Sequence, residues 1–221
     1  MKQKIPIRKL ILLAFAVLVL AVFFGISFWN WQADLQRRLG WEENSLEGLK
    51  EFGAVPQFSL TERDGRRVTL SDLKGKVWIV NFIYTNCPDT CPIQSAQMKQ
   101  LQDELRSEEG LRLVSITVDP ERDTVEVLRK YADRFNADLR KWLFLTGEKK
   151  EIHELAQKGF QLGAAEIPHD KRPPSGATHT HSPRFVVVDR SSQIRGYYVS
   201  TDVEAMKRLR RDLQTLLRGQ E

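Results

Sequence analysis

At 221 residues, 41% of them hydrophobic and 29% charged, the chain has room for one ordinary domain plus an appendage, and a mean hydropathy of −0.40 keeps most of it in water. The net charge is +5, but Lys2, Lys4, Arg8 and Lys9 supply most of it, so the body is nearly neutral and no nucleic-acid partner is expected. Two cysteines, four positions apart, exclude a multi-disulfide scaffold and mark one local redox or metal site.

From Leu10 to Phe28 the chain reads LILLAFAVLVLAVFFGISF without a charge. As a helix this run covers roughly 30 Å, the thickness of a bilayer core. Trp29 and Trp31 follow where an interfacial aromatic belt would sit, and the basic cluster lies only before the run. That asymmetry orients the N-terminus toward the cytoplasm. The run exceeds the apolar region of a typical signal peptide, and no small-x-small cleavage site follows it before Trp29. The expected organisation is a cytoplasmic N-terminus over 1–9, a transmembrane anchor over 10–29, a polar linker over 30–50 and a body over 51–221.

From Phe52 onward strand and helix signals alternate, the pattern of an α/β sheet. FSL and RRVTL flank the Asp-Gly turn of Glu62–Gly65, a hairpin signal. VWIVNFIY, Val77 to Tyr84, is a β-branched and aromatic run and predicts a central buried strand. Met98, Leu101 and Leu105 mark an amphipathic helix, and Leu111 to Asp119 another strand. Thr124 is placed to cap a helix reaching about Phe135. WLFLTG predicts a short strand, a helix starts near Glu148, and RFVVVD with QIRGYYV forms a hairpin. Val203, Met206, Leu209, Leu213 and Leu217 lie on one stripe of a last helix.

The central strand runs straight into TNCPDTCP. Chemistry in open α/β sheets gathers beyond the carboxyl ends of strands, so Cys87 and Cys91 are well placed. Pro92 suits a first helical position, which would put Cys91 at the cap with a lowered thiol pKa. Two inert buried thiols would need neither the flanking prolines nor this position. The C-x-x-x-C spacing is one residue wider than the common C-x-x-C redox motif. Of four histidines, His153 falls in a helical segment and reads as a surface or packing residue. His169, His179 and His181 share the segment HDKRPPSGATHTHSPRF, a loop able to bend over the cysteines. Two thiolates and an imidazole form a soft, low-coordinate set suited to copper, above all Cu(I).

The chain resembles the Sco/SenC family of cytochrome oxidase assembly proteins in NFIYTNCPDTCP (Asn81 to Pro92), SITVDPERDTVEVLRKYADRF (Ser115 to Phe135) and HSPRFVVVD (His181 to Asp189). The resemblance covers nearly the whole body. It implies a thioredoxin-like fold behind a membrane anchor, with one copper ion, Cu(I) or Cu(II), held by Cys87, Cys91 and His181. It further implies work on the binuclear copper centre of cytochrome c oxidase, with the copper-bearing subunit or another copper carrier as partner. The residues before His181 are Thr178, His179 and Thr180 rather than the family's usual context, which leaves His179 as a competing ligand. The distance from His181 to Asp189 matches the family strand and favours His181.

The expected function is that of a copper chaperone, single-pass in the inner membrane with its domain facing the periplasm. A thiol–disulfide oxidoreductase using Cys87 and Cys91 as its redox pair, reducing the recipient's cysteines or acting as a sensor, is the alternative. A peroxidase is a third reading of a cysteine after this strand.

Overall fold

The computed structural model describes residues 8, 17, 20, 22–32 and 49–219, excepting the side chains of His169 and His181. The chain divides into two compact units, Met1–Ser45 and Leu46–Glu221. In the first, residues 22–32 are helical, with Phe23, Phe24, Phe28, Trp29 and Trp31 exposed. Most of the expected cytoplasmic segment, anchor and linker lies outside the described residues. No helix among the described residues is long and apolar enough to cross a membrane.

The second unit is built on a seven-stranded sheet of order β2-β1-β5-β4-β3-β8-β9. Its strands are β1 Ser59–Glu62, β2 Arg67–Thr69, β3 Val77–Ile83, β4 Leu111–Thr117, β5 Trp142–Thr146, β8 Arg184–Val188 and β9 Ile194–Val199. The strands β3, β4 and β5 are parallel, while both edge hairpins, β1–β2 and β8–β9, are antiparallel. A separate two-stranded ribbon joins β6 Ala164–Glu166 to β7 His179–His181.

The apolar run predicted as central is central: every residue of β3 is buried, so both faces of the sheet are covered. Helices connect the strands, α1 Leu70–Leu73, α2 Thr90–Glu104, α3 Val125–Arg134 and α4 Lys149–Glu154, and α5 Val203–Arg218 follows the last strand. The side chain of Thr124 caps α3 by accepting from the Val127 N–H, as its position predicts. The side chain of Asp202 caps α5 in the same way. Leu209, Leu213 and Leu216 bury the inner stripe of α5, whereas Val203, expected on that stripe, is exposed in the first turn, and Leu217 is only partly buried. After α4 a π-helical turn, Leu155–Gly159, brings Phe160 edge-on against Trp78 and Phe82.

Two expectations shift. Helix α2 begins at Thr90 with Asp89 as its cap residue, so Pro92 is the third helical residue and Cys91 the second. Proline is tolerated there because the first-turn N–H groups have no intrahelical acceptor in any case. His179–His181, expected within a loop, forms strand β7 in register with β6, pairing Ala164 with His181, Ala165 with Thr180 and Glu166 with His179. Bonds from Ile167 N to Thr178 O (2.8 Å) and from Ser182 N to Gly163 O (3.0 Å) extend the pairing on both sides.

Candidate metal centre

The site starts where β3 ends. Val118 N donates to Ile83 O at 2.8 Å, carrying the parallel ladder to the last residue of β3. Beyond it the chain must turn, and a buried carboxylate holds the turn. Asp123 accepts from the Thr85 N–H (3.0 Å), the Thr85 hydroxyl (2.5 Å) and the Thr117 hydroxyl (2.5 Å). These bonds tie the segment leading to Cys87 to the end of β4. Burial pushes the Asp123 carboxyl above its usual range even though all three bonds favour its charge.

Cys91 is fully buried and Cys87 nearly so, and no disulfide joins them. Burial, then a hydrogen bond to Cys87, drives the Cys91 thiol far above the ordinary range, while the Tyr84 backbone N–H pulls weakly the other way. This corrects the expected lowering: the first turn of α2 favours an anionic sulfur, but desolvation of a completely covered thiolate outweighs it. Tyr131 closes the wall beneath, its hydroxyl 2.9 Å from Ser95 Oγ and its pKa pushed up to about 12, chiefly by burial.

Tyr84 connects the cysteines to the histidine ribbon. Its hydroxyl contacts the Cys87 thiol and faces the Thr178 backbone. Burial and the thiol contact raise its pKa strongly, so it stays a neutral donor at physiological pH. The ring packs against the imidazole of His179, with centroids 5.4 Å apart. His179 is buried, 3.0 Å from Thr178 Oγ1 and 3.8 Å from Asp119 Oδ2, both through Nδ1. Burial lowers its pKa against the pull of Asp119, so the ring is neutral at physiological pH. His153 is half-buried, its Nε2 3.2 Å from Val118 O, the packing role expected of it.

The structure therefore brings β7 to the cysteines through Thr178 and His179, and places the backbone of His181 two residues further on, opposite Ala164. Among the described residues, no three of His, Cys, Asp and Glu already surround one point as metal ligands would. Sequence reasoning overlooked Tyr84 and Asp123. Tyr84 was visible as the polar end of an apolar strand run, whereas Asp123 looked like one more charge in a turn.

Comparison with known proteins settles the lineage. The SCO1/SenC family model matches residues 48–218. The chain belongs to the SCO1/SenC family. The SCO1 protein homolog of Bacillus subtilis is 41% identical over 109 residues, covering 48% of this chain and 56% of that protein. The mouse mitochondrial SCO2 homolog is 31% identical over 160 residues, covering 70% of this chain and 61% of that protein. The chain thus spans little more than half of these relatives. Among solved structures, BsSco, described as a Sco-family cytochrome c oxidase assembly protein with a disulfide switch, is 31% identical with a TM-score of 0.65, covering 77% of this chain and 98% of that one. Copper-bound ScoI of Bradyrhizobium japonicum is 26% identical with a TM-score of 0.56, covering 72% of this chain and 99% of that one. The body has the mixed α/β, thioredoxin-like architecture of this family.

Two outcomes follow for the thiols and their tether. A raised folded-state pKa means that the protonated Cys91 thiol contributes stability that is complete below the unfolded value, about 8.5, and is lost as pH rises through the folded one. Alkylation of the folded protein followed by peptide mapping is expected to label Cys91 only well above that pH or after unfolding; labelling at the rate of an exposed cysteine at pH 7 would contradict the burial argument. Tyr84→Ala removes the ring that packs on His179 at a cost of about 1 kcal/mol, so exchange of the ribbon amide of Ser182 should quicken about fivefold. Unchanged exchange would mean that the Tyr84 ring does not hold the ribbon.

Proposed function

We propose that this chain is a membrane-anchored copper carrier serving assembly of the copper centre of cytochrome c oxidase, holding one ion through Cys87, Cys91 and His181. The observation that carries the reading is the position of Tyr84, whose hydroxyl contacts the Cys87 thiol while its ring packs on His179, in the same strand as His181. The family relationship supports it, since yeast Sco1 and Bradyrhizobium japonicum ScoI have both been solved with copper bound. The residues present suit the ion: two sulfurs at the head of one helix and imidazoles on one short strand are donors that copper prefers over harder metals.

The thiols must give up their protons to the solvent when copper binds. Because burial holds Cys91 protonated, the ion itself has to drive that loss, and affinity should strengthen as pH rises. A site with few ligands at the carboxyl end of a sheet can also release its cargo by ligand exchange. Residues 10–29 would hold the carrier in the inner membrane beside its client. The basic N-terminus would stay in the cytoplasm and the body in the periplasm.

The second reading, a thiol–disulfide oxidoreductase, is favoured by the hydrogen bond between the cysteines. It is opposed by the protonated, fully covered Cys91, a poor nucleophile at neutral pH.

Anaerobic copper titration of the full chain against a competing chelator separates the two. Cys87→Ser, Cys91→Ser and His181→Ala are each expected to weaken binding at least about tenfold while thermal unfolding stays cooperative. Unchanged affinity in His181→Ala would remove that residue from the site. Turnover of a disulfide substrate by wild type, undiminished in His181→Ala, would favour the oxidoreductase.

A further inference from the structure

His179 has an arrangement that packing alone does not explain. Its side chain is 1% exposed, yet Nε2 is buried and meets no hydrogen-bond partner among the described residues. Leaving a buried polar nitrogen unsatisfied costs about 1–3 kcal/mol. A hydrophobic residue at this position would fill the space against Tyr84 without that cost. The other nitrogen is well held. Nδ1 lies 3.0 Å from Thr178 Oγ1 and 3.8 Å from the carboxylate of Asp119, which Arg122 in turn grips at 2.8 Å. With its proton on Nδ1, the ring donates to the hydroxyl and leaves the lone pair of Nε2 bare. A hydroxyl and a carboxylate behind one nitrogen, with the opposite lone pair unused, is how proteins orient an imidazole that ligates a metal.

The position supports the same conclusion. The ring lies against Tyr84, whose hydroxyl contacts Cys87, so a single aromatic side chain separates this imidazole from the thiol pair. His179 and His181 also share one three-residue strand.

We infer that His179 is a further copper ligand in this chain, supplying through Nε2 a second nitrogen beside Cys87, Cys91 and His181. The inference rests on the copper reading above and extends it to the choice of oxidation state. Cu(I) is satisfied by few soft ligands, whereas Cu(II) favours a four-donor tetragonal set with nitrogen. A two-sulfur, two-nitrogen set therefore equips the site to hold the oxidised ion as well as the reduced one. Since three donors do not yet surround one point among the described residues, the proposal includes a movement of β7 that delivers Nε2 to the ion.

The test is pulsed electron paramagnetic resonance on the full chain in detergent micelles, loaded with Cu(II) and labelled with 15N-histidine. Two coupled histidine nitrogens are expected in wild type, and one in His179→Phe, which keeps a ring against Tyr84 but offers no donor. Cu(II) affinity should fall at least about tenfold in that variant, with Cu(I) affinity much less affected. One nitrogen in wild type, or two retained in His179→Phe, would overturn the inference. In either case a persisting sulfur-to-copper charge-transfer band would leave the cysteine site standing. Loss of that band from wild type itself would instead overturn the copper reading. His179→Ala serves as the second variant, and one nitrogen with the band intact is the supporting result there too.

Discussion

One tyrosine joins the two halves of this site. Tyr84 stands at the exit of the central strand, its hydroxyl against the Cys87 thiol and its ring against the His179 imidazole. The cysteines and the histidine ribbon are some ninety residues apart in sequence, and the ribbon pairs with no strand of the main sheet. A two-stranded ribbon is marginal in water by itself. Packing of the His179 ring on Tyr84 fixes β7, while bonds from Gln157 to Ala164 O and from Lys149 to Glu166 fix β6.

Around that link the fold spends buried polar groups freely, and each serves position rather than net stability. Asp123 is a carboxylate under the surface with three hydrogen bonds and no cation among them. Such a group is costly to bury, and its return is a fixed path for the turn between β3 and α2. Ser115 Oγ donates to Asn81 Oδ1 at 2.8 Å and accepts from Trp142 Nε1 at 3.0 Å, so the three central strands are pinned laterally as well as through the ladder. The two thiols then sit at the tied-down end of the sheet, while the histidine ribbon is anchored separately through Gln157 to Ala164 O and Lys149 to Glu166. Thiols and histidines on separately anchored elements are a suitable division for a protein that must both take up and release a soft ion.

Much of this was legible in the sequence because the signals were local. An eight-residue apolar run could only be a strand covered on both faces, and two cysteines directly after it could only lie at its carboxyl end. Thr124 announced its helix by capping chemistry. The failures have physical causes as well. The rule that proline favours the first helical position misplaced Cys91, because Asp89 already begins the helix two residues earlier. The expected acidic thiol failed because helix polarity is a weak field and desolvation of a buried sulfur is a strong one. Strand β7 was hidden in a segment rich in Pro, Gly and Ser, since its partner β6 lies across an intervening turn and no alternation of apolar residues marks either strand. Tyr84 and Asp123 act only through residues distant in sequence, so their roles emerge once the chain has folded.

The central claim is that Cys87 and Cys91 together provide the sulfur ligands of one copper ion, with histidine completing the set. X-ray absorption at the copper edge, on the full chain loaded anaerobically with one equivalent of Cu(I), counts those neighbours directly. Two sulfur scatterers and at least one imidazole per copper are expected. A spectrum with fewer than two sulfurs, or with none of the multiple-scattering features of histidine, would contradict the account.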